Sequence, residues 1–201
     1  MNEQIYHYLF IAIAALISLT LHEVSHGYVA YLLGDNTAKS QGRLSLNPIK
    51  HIDLFGLIAL IVIRIGWAKP VPINSMNFAS RKKGMLLTSF AGPGMNLILA
   101  LFFGMLFNLF YYTYGLYYLS LLFYYCMYIN VTLALFNLLP LPPLDGSKIL
   151  ASLLPNKLEI QFYKYERFFY IIVLILYFTG AVAYVLIPAI TYLSNLILAV
   201  V

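Results

Sequence analysis

Apolar residues run with few breaks from Ile5 to Leu33, and the chain then turns polar at Gly34-Asp35-Asn36. Glycine and asparagine in that place are helix-ending and turn residues, so the pattern predicts a first helix from about Gln4 to Leu33. Residues 37–47 (TAKSQGRLSLN) are polar, with β-branched and alternating character, which predicts a short strand or extended segment. The stretch 51–67 (HIDLFGLIALIVIRIGW) is apolar but short and broken by Gly56 and Arg64, a pattern that fits a re-entrant or interfacial element better than a span. Pro70 and Pro72 then confine "AKPVPINSMNF" to an edge strand or loop. Together these pieces predict a small β-rich insertion at the membrane surface. A second apolar run follows Arg81-Lys82-Lys83 and reaches about Tyr112; a turn near Tyr114-Gly115 leads to a third, about Leu116 to Leu139. The third ends in "NLLPLPPLDG" (137–146), where prolines unwind the chain before a short helix at about Ser147 to Leu154. The C-terminal residues are apolar enough for two further helices meeting near Thr179-Gly180, with Pro188 bending the second.

Composition turns these runs into membrane spans. Of 201 residues, 62% are hydrophobic and 9% charged, with a mean hydropathy of +0.85. A soluble domain would carry about a quarter charged residues. The expected fold class is an all-α integral membrane protein: a polytopic helical bundle of about three core spans plus one or two C-terminal helices, with the β insertion on its surface. One domain over 1–201 is expected, its core in 1–155 and its C-terminal helices in 156–201. The first apolar run lacks a basic flank and a small-residue cleavage site, so a removable signal peptide is not expected. Cys126 is the single cysteine and forms no intramolecular disulfide.

The net charge of +5 would suit a nucleic-acid binder, but the placement of the charges argues against one. Every Lys and Arg lies either in a window from Lys39 to Lys83 or in one from Lys148 to Arg167. Segregation of this kind is the positive-inside pattern of a multi-pass protein of the cell membrane. With both windows cytoplasmic, the N-terminus lies outside and the first span runs inward. His22 to His26 then sit in its inner half, and Asp145 sits at the inner end of the third span. Two separate polar sites meet at one depth.

Those residues carry the candidate chemistry. "HEVSH" on a helix places His22 and His26 about 40° apart around the axis and about 6 Å apart along it, within reach of one metal ion. Glu23 lies beside them, able to touch a metal-bound water without ligating the metal; this is the metalloprotease arrangement of two ligands and a general base. Ionisable groups inside a membrane helix are costly and usually functional. A catalytic zinc needs a third protein ligand and an open position. The position six residues after His26 is Leu32, and no glutamate follows until Glu159, so the third-ligand patterns of the soluble enzymes fit poorly. Asp53, Asp145 and, less conventionally, His51 are left. Asp145 is the best placed, on unwound backbone at the membrane boundary.

In order along the chain, "HEVSHG", "GRLSLNPIKHID", "AGPGMN" and "FNLLPLPPLDGSKIL" resemble the site-2 protease family of intramembrane zinc metalloproteases, in its compact branch without a PDZ domain. The resemblance covers about residues 18–155; Leu54 stands where a proline commonly follows the "HID" triplet. It implies one zinc ion held by His22, His26 and Asp145, with Glu23 as catalytic base. It also implies cleavage of a membrane-protein substrate in or near a transmembrane segment, close to the cytoplasmic face. Asn96 and Asn137 are candidates to hydrogen-bond substrate, or alternatively to join helices. His51 and Asp53 read as an interfacial pair or as residues that orient a ligand or line the entrance. The partners expected are the substrate and the lipid bilayer, with no nucleic acid; a homo-oligomer is compatible with the sequence. The rival reading is a non-enzymatic metal-binding membrane protein, a transporter or scaffold. A transporter would need ligands along a path through the bilayer and has no use for Glu23 beside the metal.

Overall fold

The computed structural model describes residues 3–56 and 68–201, and the rest of the stretch expected to be re-entrant, 57–67, lies outside them. The long helices are α1 (Glu3–Leu32), α3 (Arg81–Asn108), α4 (Tyr117–Asn137), α6 (Asn156–Phe178) and α7 (Ala181–Val200), with the short α2 (Thr37–Ser40) and α5 (Asp145–Leu153) between them. Among the described residues, four stretches are long and apolar enough to cross a membrane: Gln4–Leu32, Arg81–Thr113, Tyr117–Asn137 and Ala181–Val200. The last turn of the second, Leu109–Thr113, is π-helical. Helix α6 is not among them. Its first half carries Lys157, Glu159, Lys164, Glu166 and Arg167, charges that a hydrocarbon environment disfavours.

Helices α1, α3 and α4 pack together as the central group; α5 lies on α3, and α7 lies on α4 and α3. Leucine gains little by leaving lipid for a helix interface, so close approach of small residues must supply the contact. Ala14, Ala30, Ala100 and Ala134 are accordingly fully buried. At Gly104 an added Cβ would lie 2.6 Å from Ile197 Cγ2, which shows how tightly α3 and α7 meet. The apolar core at this end is built from Ala100, Met127, Val131, Leu186, Ile190 and Ile197.

The basic first turn of α3 faces an electrostatic problem, since a helix N-terminus already carries partial positive charge. Glu159 answers it from α6. Its buried carboxylate lies 2.6 Å from Arg81 Nη2 and 3.6 Å from Lys82 Nζ, and Lys82 also donates to the Leu154 carbonyl. This clasp ties the start of α6 to the start of α3.

The expected β insertion is corrected: no strand forms among the described residues. Residues 37–40 are helical, and tight turns take the backbone donors that a ladder would need, with Ser40 N–H on Asn36 O at 2.9 Å and Arg43 N–H on Ala38 O at 2.9 Å. Gly42 makes the turn at φ +63°. The 68–74 segment is extended, yet Pro70 and Pro72 have no N–H to give. The Val71 N–H goes to Glu23 Oε2 at 2.8 Å and the Asn74 N–H to Asp35 Oδ2 at 2.7 Å. Among the described residues, strand pairing here is limited to one antiparallel bridge, Ile52 to Ala68.

Asp35, fully buried just past α1, fastens that extended segment. Besides Asn74 N–H, it accepts Thr37 N–H at 3.1 Å, Thr37 Oγ1–H at 2.5 Å and Asn77 Nδ2–H at 2.7 Å. Burial alone would push its carboxyl up, but these donors outweigh it and hold the group below the ordinary carboxylate value. The stabilisation is therefore complete above the unfolded value of about 4 and is lost as pH falls through the lower folded one. Asp35→Asn turns one acceptor into a donor facing donors, and is expected to cost about 1–3 kcal/mol at neutral pH. Thermal unfolding in detergent should show the gap to the parent chain closing as pH is lowered past 4; a pH-independent gap would assign the effect to packing.

Candidate metal site

The proline-rich end of α4 reverses the chain so that Asp145, the first residue of α5, points back at α1. Gly146 makes this approach fit, because a Cβ there would lie 2.3 Å from Leu138 O and 2.4 Å from Leu139 O. His22 Nε2 and His26 Nε2 are 3.0 Å apart, and Asp145 Oδ2 lies 3.2 Å from the first and 3.1 Å from the second. All three residues are buried. Ligand atoms around a tetrahedral zinc with bonds of 2.0–2.1 Å are about 3.3 Å apart, so the triangle has the size of one face of such a site.

The hydrogen bonds on the far side of each imidazole make the same case. His22 Nδ1 lies 2.5 Å from Asn96 Oδ1, and His26 Nδ1 lies 2.7 Å from the Thr88 carbonyl. Each acceptor requires an N–H, so each neutral ring carries its proton on Nδ1 and turns a lone pair inward from Nε2. Lys148 Nζ lies 3.7 Å from Asp145 Oδ1 and favours the ionised carboxylate. Two lone pairs and an anion thus face one another in a buried space. A divalent cation resolves that arrangement, and the donor set of two imidazoles and a carboxylate suits zinc.

Asn96 is one member of a buried chain. Its Nδ2 donates to Asn130 Oδ1 at 2.7 Å, Asn130 Nδ2 donates to Ser18 Oγ at 2.7 Å and to Cys126 O at 2.8 Å, and Ser18 Oγ donates to Ala14 O at 2.7 Å. The amide orientation of Asn96 is set from both sides, which presents its oxygen to His22. Gly92, one turn earlier on α3, is the space the imidazoles need: a Cβ there would lie 2.3 Å from His26 Nε2 and 2.7 Å from His22 Nε2.

A cavity of about 510 Å³ opens beside the triangle, lined by Glu23, Asn137, Lys148 and the extended Pro70, Val71 and Ile73 along with the three clustered residues. Asn137 lines it with its Nδ2 bonded to Leu133 O at 3.0 Å. The structure brings Asn96 to His22 instead, fully buried and with both ends of its amide engaged. Among the described residues, His22, His26 and Asp145 are the group whose ligand atoms converge. His51 and Asp53 are not part of it: His51 Nε2 bonds the Ser45 carbonyl at 2.7 Å, and Asp53 Oδ1 accepts the Gly56 N–H at 2.8 Å. The sequence reading missed the Val71 N–H on Glu23. The doubled prolines around Val71, which leave that N–H the sole donor of residues 70–72, were its signal.

The model of peptidase family M50, the site-2 protease family, matches residues 116–180. A protein of Bacillus subtilis (strain 168) named "Putative zinc metalloprotease YwhC" is 42% identical over 186 residues, covering 89% of this chain and 84% of the relative. The chain belongs to family M50. It is a zinc metalloprotease of the site-2 protease kind, and zinc is the metal the family implies. A second relative, "Putative zinc metalloprotease Rip2" of Mycolicibacterium smegmatis (strain ATCC 700084 / mc(2)155), is 31% identical over 173 residues, which is 83% of this chain and 65% of the relative. No solved structure is significantly similar.

Two substitutions test the geometry of this M50 site. Gly92→Ala should abolish zinc retention through repeated buffer exchange, since its Cβ would occupy the imidazole space. Asn96→Leu, which frees the His22 Nδ1–H, should weaken zinc binding about 10- to 100-fold in chelator competition. Wild-type affinity in both would dissociate these residues from the metal.

Proposed function

We propose that this protease cuts a membrane-protein substrate in or near a transmembrane segment, at the cytoplasmic side of the membrane, with His22, His26 and Asp145 as zinc ligands and Glu23 as general base. The observation that carries the reading is Glu23 itself. It is the neighbour of a ligand in sequence, lines the cavity beside the ligand triangle, and has one oxygen fixed by the Val71 N–H. Zinc, when bound, supplies Lewis acidity to water and to a carbonyl oxygen. Glu23 Oε1, the oxygen not engaged by Val71, takes a proton from the attacking water and passes it to the departing amine nitrogen. Asn137, which lines the cavity, hydrogen-bonds the substrate backbone in this reading.

A helical peptide bond is shielded by its own hydrogen bonds, so the substrate must unwind before it is cut. The extended 68–74 segment runs along the cavity and supports docking of the unwound chain by strand addition. Residues 37–43 offer no such edge, since they form α2 and the turns that follow it. The cytoplasmic assignment rests on the basic residues, all twelve of which lie in the two windows assigned to that side. Such a position suits release of a membrane-tethered segment into the cytoplasm or clearance of membrane remnants.

Glu23→Gln should retain zinc and lose proteolysis of a reconstituted transmembrane substrate, because an amide cannot accept the proton; His22→Ala should lose both. Equal zinc loss in Glu23→Gln would make Glu23 a ligand instead of the base. In a Cys126→Ser background, a cysteine at position 83 or 157 should react with impermeant reagent only from the cytoplasm, and one at 115 only from outside. Labelling of position 115 from the cytoplasm would place the zinc near the outer leaflet.

A further inference from the structure

Outside the metal site, positive charge gathers in the insertion between α1 and α3. The chain has seven carboxylates. Those that form ion pairs among the described residues are Asp145, with Lys148, and Glu159, with Arg81 and Lys82. Asp35 is buried and saturated by four donors; Asp53 accepts the Gly56 N–H. None pairs with Lys39, Arg43, Lys50 or Lys69 among the described residues. By sequence, the 57–67 stretch adds one more cation, Arg64, and no acid.

These four cations belong to the same insertion between α1 and α3, where backbone carbonyls hold Arg43 and Lys50 and a tyrosine hydroxyl holds Lys39. Arg43 Nη2 donates to Lys69 O at 2.7 Å, Lys50 Nζ to Gly42 O at 3.1 Å, and Lys39 Nζ to Tyr31 Oη at 2.8 Å. Arg43 Nε is buried with no acceptor. Lys39, Lys50 and Lys69 are exposed. Apolar side chains of the same insertion are exposed beside them: Leu46 at 68%, Ile49 at 75% and Phe55 at 74%. Water would disfavour such a face, whereas a bilayer surface satisfies both of its parts, with the apolar tips in the acyl boundary and the cations among phosphates.

We propose that this face is a docking surface for the headgroups of anionic phospholipids. Charge complementarity decides the occupant. A zwitterionic leaflet would take the apolar tips equally well but would gain little from four cations without counter-ions, whereas each basic residue at an anionic surface favours contact about fivefold. The patch also reaches the catalytic cavity, because the Lys69 carbonyl that Arg43 holds opens the segment whose Val71 N–H fixes Glu23. A headgroup here braces the wall along which substrate would lie.

The test uses the full chain and needs no proteolysis, so it stands apart from the proposed cleavage. Ile49→Trp in a Trp67→Phe background places the sole tryptophan at the patch. The protein is reconstituted into phosphatidylcholine vesicles carrying, in both leaflets, a minor fraction of either dibrominated phosphatidylglycerol or dibrominated phosphatidylcholine. Quenching by the brominated phosphatidylglycerol should exceed that by brominated phosphatidylcholine at least about fivefold in effective affinity. The preference should collapse in the Lys39→Gln, Lys50→Gln, Lys69→Gln triple variant, which leaves the Arg43 contact intact, and should fall as salt is raised to about 0.5 M. Equal quenching by the two lipids in the parent chain would overturn the proposal. So would a preference that survives high salt, or the absence of quenching by either lipid.

Discussion

Two imidazole nitrogens and a carboxylate oxygen, 3.0–3.2 Å from one another in a buried space, set the terms for the rest of the molecule. Their far-side partners, Asn96 and the Thr88 carbonyl, already hold the imidazole protons. The three atoms then face one another as electron donors, a costly arrangement in a low-dielectric interior unless a cation sits between them. Much of the architecture follows from bringing them together. Helix α1 must cross α3 closely enough to leave room for nothing larger than Gly92. Helix α4 must stop and reverse within a few residues, so that Asp145 reaches back to α1, and Gly146 must pack on the carbonyls that the reversal exposes.

The membrane decides how the polar work is divided. Backbone groups in hydrocarbon have to be satisfied internally, which the long helices do; side-chain polarity is then concentrated where it serves the site. Ser18, Asn96 and Asn130 are fully buried, and they form one chain that ends on His22. At the basic end of the bundle the constraint is reversed, because irregular backbone is tolerated where it lines a cavity. The 68–74 segment is such backbone. Its prolines break the row of donors, and the N–H groups of Val71 and Asn74 go to Glu23 and Asp35, so the same hydrogen bonds that shape the cavity wall also aim the carboxylate.

How much of this was legible in the sequence depended on the range of the interaction. The long helices could be read because apolar runs and terminating glycines are local signals, and α6 read less clearly because its charged first half and apolar second half give opposite signals. The pattern pointed to His22, His26 and Asp145, and the structure brings those three together, since helical spacing and the proline-broken end of α4 are local too. The β insertion failed for a physical reason: alternation at 37–47 records which side chains face water, while Asp35 and the turns around Gly42 decide where the backbone donors go. The partners of Asn96 and of Glu23 lie 74 and 48 residues away in the chain, and no local pattern names them.

A zinc ion held as we propose joins α1 to α5 through nitrogen and oxygen alone. X-ray absorption at the zinc edge of the purified protein measures this most directly. The expected spectrum has two imidazoles at about 2.0–2.1 Å, an oxygen shell at similar distance and no sulfur. A sulfur scatterer at about 2.3 Å, or a shell with fewer than two imidazoles, would contradict it.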